Sequence, residues 1–406
     1  MTRSTGVRTG FCAARLQRLT DVFLADVDTG HIPGAVVLIT QADSTAYFES
    51  FGFASREPLR AMRRDSIFRI ASLTKPITVT AALILQERGK LLLSDPVARF
   101  IPELRDATVA VEFTDAATGE RRLTMAAARR PMTVQDLMRH TAGFTYGQSG
   151  DSLVQKLYAA AALMDPQQTN AEMLAKIAAL PLAFEPGTTF EYGMSTDVLG
   201  RVIEVVSGMA LDRFFAEHIT VPLGMKDTGF AIPPSDVQRL ALPRSHPPSS
   251  AGALAYDPTR PAKWFSGGGG LVSTAGDYSR FCRMLLNGGV LDGGRILARK
   301  TVELMTHNHL PRDLLFGSHT PELGLAAPLP QLGQGYGLGL GVRMQAGLSM
   351  APGSVGDYYW GGATGPYFWV DPAEKLTVVL MLQEPEVHRR TRYRPLLRAL
   401  VYHALS

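Results

Sequence analysis

The sequence predicts a mixed α/β protein in which both ends of the chain build one domain and a helical domain is inserted between them. Strand-like runs occupy residues 34–40, 45–53, 336–344, 357–361, 367–371 and 376–382. Residues 91–223 are rich in Ala and Leu at helical spacing. We assign residues 1–70 and 265–406 to the mixed domain and 71–264 to the helical domain. A functional site is expected at their junction.

Local signals delimit the other elements. Apolar residues at helical spacing predict a helix over residues 11–28. Another helix begins near Ser72, because Pro76 is tolerated in a helix only within the first turn. The remaining predicted helices are 197–207, 273–286 and 392–405. Loops are predicted at 114–122, 141–150, 185–196 and 235–264.

The composition argues against several classes of protein. The chain has 406 residues, of which 46% are hydrophobic and 19% charged, as in soluble globular proteins. The formal charge is +4, and the one basic stretch, 388–398, is interpreted as the polar face of the last helix rather than a nucleic-acid site. Cys12 and Cys282 indicate no disulfide framework. With neither a signal peptide nor a membrane span predicted, the expected location is cytoplasmic, and the oligomeric state is open.

The stretch from Ser72 to Lys75 is the strongest candidate for chemistry. Residues at i and i+3 share a helix face, and a serine becomes a good nucleophile when a neighbouring base takes its proton. Lys75 can be that base if burial and the positive helix N-terminus lower its pKa. The alternative is a capping serine beside a solvated lysine. Lysine is scarce, however, with 8 among 41 basic residues, and a lysine in a first turn opposes the helix dipole.

Two later segments supply candidate partners. Tyr192 follows the turn signal at 185–187, and its hydroxyl could relay protons beside a cation, although packing of a loop is an equally good explanation. Residues 360–365, Trp-Gly-Gly-Ala-Thr-Gly, follow a strand. We call them the third motif. Its paired glycines allow close approach of a ligand, and its N–H groups could donate to an oxyanion. The alternative is that the motif is an ordinary strand end and turn.

Other motifs carry less weight. Gly-x-Ser-x-Gly does not occur in the chain, so a Ser-His-Asp triad lacks an obvious serine. His307 and His309 near Glu303 are better explained as a polar helix end than as a metal site. The glycines at 267–270 are not followed by Lys-Ser/Thr and so are not a phosphate loop. Neither a metal nor an organic cofactor is predicted.

In this order and spacing, the three motifs resemble those of the serine β-lactamase and penicillin-binding-protein superfamily. The most similar branch is the class C β-lactamase-like esterases, the family VIII carboxylesterases. The resemblance covers roughly residues 19–382 and includes the segments 89–97, 137–143, 222–225 and 268–271. It implies a β-lactamase-like fold, with an antiparallel sheet flanked by helices and an inserted helical domain.

The resemblance also implies roles for individual residues. Ser72 would be the acylated nucleophile, Lys75 its paired base and Tyr192 a partner in proton transfer. The N–H groups of Ser72 and Ala363 would form the oxyanion hole. Near these motifs, the expected substrate-binding residues and candidate pocket walls are Phe144, Tyr146, Trp360, Gly361, Gly362, Tyr367 and Trp369.

Two departures from the β-lactamase pattern concern the substrate. Met194 stands where class C enzymes have the asparagine of Tyr-x-Asn, and Trp360 replaces the lysine of Lys-Thr-Gly. Both changes disfavour anionic β-lactams and favour neutral esters. The sequence therefore predicts a serine carboxylesterase for short-chain esters, with a small-molecule ester as its partner. An acyltransferase, a weak β-lactamase or D-aminopeptidase-type enzyme, and a non-catalytic binding protein are the alternatives.

Overall fold

Strands from both ends of the chain pair in the central sheet. The computed structural model describes residues 10–147, 150–243 and 256–406. In chain order the strands are β1 (Gly34–Gln41), β2 (Ser44–Arg56), β3 (Leu59–Ala61), β4 (Phe68–Arg69), β5 (Thr108–Thr114), β6 (Arg121–Ala127), β7 (Thr189–Phe190), β8 (Val272–Ser273), β9 (Val290–Leu291), β10 (Gly294–Arg295), β11 (Leu315–Phe316), β12 (Gln334–Tyr336), β13 (Gly341–Arg343), β14 (Tyr358–Gly361), β15 (Tyr367–Asp371) and β16 (Leu376–Leu382). The α-helices are α1 (Ala13–Asp28), α2 (Thr74–Glu87), α3 (Val134–Met138), α4 (Leu153–Ala160), α5 (Asn170–Ala178), α6 (Ser195–Ser207), α7 (Leu211–Phe215), α8 (Ala275–Leu286), α9 (Arg299–Thr306) and α10 (Val387–Ala404).

The central sheet has eight strands in the order β12-β13-β14-β15-β16-β1-β2-β3. Its neighbouring strands are antiparallel throughout. The pairing of β1 with β16, which sets Ala35 opposite Leu382, joins the two ends of the chain. Both strands are almost wholly buried, because helices cover both faces of the sheet. The predicted fold class, a mixed α/β protein of β-lactamase type, is confirmed.

Helices from different parts of the chain cover the two faces. On one face, α8 packs on β16, and α2 packs against α6 in a core that includes Trp360 and Phe368. On the other face, α1 and α10 pack together over Phe51 and Trp369. The third motif begins with the last two residues of β14, Trp360 and Gly361, and continues into the turn that follows the strand. The predicted domain boundaries at 70/71 and 264/265 stay a prediction.

The central region differs in one respect from the prediction. Helices α3 to α7 lie within it, but β5 and β6 form a hairpin where only a loop at 114–122 was predicted. The prediction was wrong because the alternating apolar residues of β5, Val109, Val111 and Phe113, were assigned to the helical region, and both strands are largely exposed. The predicted strand at 336–344 is likewise two short strands, β12 and β13, paired as a hairpin.

The last helix also differs from its prediction. It begins at Val387, earlier than residue 392, and its arginines do not form an exposed polar face. Arg394 and Arg398 are 9% and 3% exposed, because they turn inward towards the sheet. Of the predicted loop at 235–264, residues 244–255 lie outside the described residues, and Pro234–Arg239 form a 3₁₀ turn. None of the described helices has the length and apolarity needed to cross a membrane.

Candidate active site

Ser72 lies in a 3₁₀ turn, Ala71–Leu73, between β4 and α2. Ala71 has φ +46°, a left-handed conformation that is costly for a residue other than glycine. This bend ends β4 and leads directly into α2. Ser72 is partly exposed there, and Pro76 lies in the first turn of α2 as predicted.

Lys75 is fully buried and is hydrogen-bonded to Ser72. Its Nζ donates to Ser72 Oγ at 3.2 Å, to the Gly268 carbonyl oxygen at 2.8 Å and to the Tyr146 hydroxyl at 3.3 Å. The i, i+3 spacing therefore brings the two side chains within reach of proton transfer. Tyr146, expected only as a pocket wall, contacts the lysine directly.

Tyr192 completes the group around the lysine. Its ring centroid lies 4.6 Å from Lys75 Nζ, a cation–π contact. The Trp360 indole N–H donates to the Tyr192 hydroxyl oxygen at 3.1 Å. Trp360 is only 1% exposed, so it supplies a hydrogen-bond donor to Tyr192 rather than an open apolar wall. The sequence pattern did not indicate this bond.

The pKa of Lys75 shifts in the direction opposite to the predicted one. Burial acts to lower the pKa of Lys75, as expected. The oxygens of Tyr146, Tyr192 and Asp197 act in the opposite direction, and the net effect raises the pKa above its ordinary value. This direction favours the ammonium form of Lys75.

Asp197 and Gly268, neither predicted, connect Lys75 to α6. Asp197 Oδ1 accepts from the Gly268 N–H at 3.0 Å and from Ser266 Oγ at 2.5 Å, while the Gly268 carbonyl oxygen accepts from Lys75. A Cβ on Gly268 would lie 2.3 Å from Asp197 Oδ2, so this approach requires glycine. The run of glycines at 267–270 was the only signal in the sequence, and it explains how the chain passes close to α2 and α6.

The third motif lies beside Ser72. A Cβ on Gly362 would be 2.7 Å from the Ile70 carbonyl oxygen and 3.4 Å from Ala71 Cβ, so residues 362–363 adjoin the turn that carries Ser72. Within the described ranges, neither the Ser72 N–H nor the Ala363 N–H has a hydrogen-bond partner. Two backbone donors on adjoining segments are therefore free, which suits an oxyanion.

The other predicted pocket residues have structural surroundings. Gly361 makes room for an arginine rather than a ligand, since its Cβ would lie 2.5 Å from the Arg394 guanidinium carbon. Tyr367 and Trp369 lie on the face of the sheet that α10 covers. Phe144 is 1% exposed in the core. Of the candidate aromatic walls, the structure brings Tyr146 and Trp360 to the Lys75 group.

The histidines considered as metal ligands bond to backbone instead. His307 Nδ1 contacts the Glu303 carbonyl oxygen, and His309 Nε2 lies 2.7 Å from the Leu304 carbonyl oxygen. Among residues 10–147, 150–243 and 256–406, no group of three or more His, Cys, Asp or Glu side chains is arranged to hold a metal ion.

Glu191, next to Tyr192, is a buried carboxyl group whose ionisation is coupled to folding. It is 1% exposed, and its Oε1 accepts from Thr145 Oγ1 at 2.7 Å. Burial raises the pKa of Glu191 to about 7, although Thr145 and the His319 N–H oppose this shift. Because the ordinary value is 4.5, the folded state favours the protonated carboxyl group.

A pH-dependent loss of stability should follow from Glu191. The protonated Glu191 carboxyl group contributes to the stability of the folded state. This contribution is complete below pH 4.5 and is lost as the pH rises through about 7. The difference between the ordinary and the folded-state pKa of Glu191 corresponds to roughly 3 kcal/mol of unfolding free energy. Glu191→Gln stays neutral and keeps an acceptor for Thr145, so its melting temperature should exceed the wild-type value above pH 7 and match it below pH 4.5. Melting curves that differ by the same amount at every pH would contradict this role.

Because Lys75 is bonded to Ser72 at the start of a helix and stacks on the Tyr192 ring, the site is that of a serine hydrolase of the β-lactamase type. The Beta-lactamase family model matches residues 19–403, and the chain belongs to that family. Within that family, the chain is similar to β-lactamase-like esterases such as EstB.

Three comparisons illustrate this relationship. An uncharacterised protein of Mycobacterium tuberculosis is 35% identical over 364 residues, covering 88% of this chain and 87% of that protein. Esterase EstB of Burkholderia gladioli is 29% identical, covering 91% of this chain and 90% of its own. The structure of EstCE1, described as a hydrolase with promiscuous acyltransferase activity, is 29% identical and superposes with a TM-score of 0.77, covering 96% of this chain and 98% of EstCE1.

Proposed function

We propose that the protein is a serine carboxylesterase that hydrolyses short-chain carboxylic esters through an acyl-enzyme on Ser72. The observation that carries the proposal is the 3.2 Å hydrogen bond between Lys75 Nζ and Ser72 Oγ, inside a buried group with two tyrosines. This arrangement supports an activated serine nucleophile. Its similarity to EstB, an esterase by name, agrees with the proposed chemistry.

Acylation begins with loss of the Ser72 hydroxyl proton. An ammonium group has no lone pair to accept it, so the Lys75–Tyr192 pair must first lose one proton. In the proposed relay, Lys75 takes the Ser72 proton while it passes one of its own to the Tyr192 oxygen, which accepts from the Trp360 N–H. Ser72 Oγ then attacks the ester carbonyl carbon. The oxyanion forms between the N–H groups of Ser72 and Ala363.

The same pair completes the two-step reaction. Tyr192, together with Lys75, returns the proton to the departing alkoxide, which leaves as an alcohol while the acyl group stays on Ser72. A water molecule then gives a proton to the pair and attacks the acyl carbonyl carbon. Breakage of the acyl–Oγ bond returns the proton to Ser72 and releases the carboxylic acid.

The surroundings of the site support a neutral substrate. The third motif begins with Trp360, which is a neutral side chain and therefore offers no cation for a substrate carboxylate. Its N–H is also already bonded to Tyr192. Met194, at the position of the class C asparagine, is 1% exposed and has no side-chain amide to bind an acylamino group. A β-lactam would therefore lose two polar contacts, whereas a simple ester requires neither.

A substrate comparison tests this proposal. We expect kcat/KM for short-chain p-nitrophenyl esters to exceed that for the cephalosporin nitrocefin by about 100-fold or more, because each lost polar contact costs about 1.5 kcal/mol. The same esters, quenched during turnover, should give an acyl adduct on the peptide containing Ser72 by mass spectrometry. Faster turnover of nitrocefin than of every ester in the series would contradict the assignment.

Acyl transfer is the second candidate function. The similarity to EstCE1, a hydrolase with promiscuous acyltransferase activity, favours it. Transfer uses the same acyl-enzyme but replaces water by an alcohol or amine in the second step. The two functions are separated by the ratio of transfer product to free acid when an alcohol is added during ester turnover. A ratio that stays near zero at high alcohol concentration would leave hydrolysis as the activity.

A further inference from the structure

Three buried guanidinium groups surround a cavity on the α10 face of the sheet. Arg343 from β13 and Arg398 from α10 are each 3% exposed, and Arg394 is 9% exposed. The cavity between them is partly open to solvent, and Gln334 and Tyr359 also line it. Cations so deeply buried are normally paired with anions.

The carboxylates of the chain do not balance these charges. Asp357 accepts from Arg343 Nε at 2.9 Å and from Arg398 Nη1 at 2.8 Å, so a single carboxylate is shared by two arginines. Arg394 forms no salt bridge with any residue in the described ranges. The segments outside them, 1–9, 148–149 and 244–255, contain neither Asp nor Glu. In the described ranges, Asp357 is the carboxylate that pairs with this group of arginines, through Arg343 and Arg398.

Unused polar atoms cluster at the same cavity. In the part of the chain that the structure describes, Arg394 Nε, the Tyr359 hydroxyl and Gln334 Oε1 are buried without a hydrogen-bond partner. Two of these are donors. Rotation of the Gln334 amide by half a turn would replace its oxygen by a third donor. Such a set, beside an excess of positive charge, suits an acceptor that carries negative charge.

We propose that this cavity binds a small monovalent anion, such as chloride, which acts as the counter-ion of Arg394. The anion accepts from Arg394 Nε and the Tyr359 hydroxyl. A water molecule could satisfy the same hydrogen bonds but would leave the buried positive charge unbalanced. This site is separate from Ser72 and lies on the opposite face of β14.

The anion site is linked to the strand that carries the third motif. Arg394 Nη2 donates to the Gly362 carbonyl oxygen at 3.3 Å, and its guanidinium fills the space beside Gly361. An anion that holds Arg394 in place therefore also supports the position of residues 361–363. The proposal does not depend on which ester the enzyme hydrolyses.

Thermal unfolding in different salts tests the site. We expect the wild-type melting temperature to rise, with saturation, by about 2–5 °C in sodium chloride or bromide relative to sodium gluconate at equal ionic strength. Arg394→Met should abolish this difference. It should also be at least as stable as the wild type in gluconate, because the unpaired buried charge is gone. Arg390→Met is the control, since it removes an arginine one turn away that does not line the cavity, and it should keep the chloride effect.

Crystallography with bromide gives an independent readout that does not require a variant to fold. Anomalous scattering from wild-type crystals in sodium bromide should show a peak in contact with Arg394 Nε. Identical melting temperatures in chloride and gluconate, or a cavity that holds water without anomalous signal, would overturn the proposal. A loss of stability in Arg394→Met that is equal in both salts would also overturn it, since it would indicate that the arginine acts only through packing and the Gly362 bond.

Discussion

Ser72→Ala should abolish ester hydrolysis, lowering kcat by at least about 10⁴-fold, because no other group in the proposed mechanism can carry the acyl intermediate. The fold should persist, since the side chain is small and partly exposed. Release of p-nitrophenol from a short-chain ester measures the loss. The variant should also fail to accumulate the acyl adduct seen by mass spectrometry in the wild type.

The matched control is Ser195→Ala. Ser195 is also near the site, at the start of α6, but its buried Oγ has no hydrogen-bond partner among the described residues. Its removal should therefore leave kcat within about twofold of the wild-type value. Retained turnover in Ser72→Ala at the level of this control would exclude Ser72 as the nucleophile.

Tyr192→Phe should lower kcat by about 10²–10⁴-fold, the usual contribution of a group that transfers a proton in the transition state. The variant keeps the ring beside Lys75 but loses the oxygen that accepts from Trp360 and from the lysine in the proposed relay. The effect should lie in kcat rather than KM, because the hydroxyl acts on the leaving group more than on substrate binding.

Tyr146→Phe separates the two tyrosines around Lys75. The Tyr146 hydroxyl accepts from Lys75 Nζ at 3.3 Å but not from Trp360, and burial raises the pKa of Tyr146, which makes its hydroxyl a poor group for a proton relay. We expect a loss of about tenfold, mainly from altered placement of the ammonium. A loss in Tyr146→Phe as large as in Tyr192→Phe, or larger, would assign the proton relay to Tyr146 instead.

Much of the fold could be predicted because local patterns coincide with buried elements. The apolar runs of β1, β15 and β16 and the helical spacing of α1 each reflect burial that the chain itself encodes at short range. The β5–β6 hairpin is largely exposed, so its alternating apolar residues do not mark a buried strand. The spacing of Ser72 and Lys75 could also be recognised locally, since a single helical turn brings them together.

The rest of the site depends on contacts between distant segments. Gly268 and Asp197 meet Lys75 only after α2, α6 and the glycines at 267–270 pack together, and no local pattern records that meeting. The same holds for the direction of the pKa of Lys75, which is set by oxygens from three separate segments. The burial of Arg394 and Arg398 was missed because arginines at helical spacing ordinarily indicate a solvated face.

The pairing of β1 with β16 constrains how the chain is made. At about 5–20 residues per second, roughly 15–65 s separate the synthesis of β2 from that of β16 on the ribosome. During that interval the hairpin of β1 and β2 presents an apolar edge whose partner does not yet exist, and such edges promote aggregation. We therefore expect the first strands to need protection from aggregation until β16 has left the ribosome.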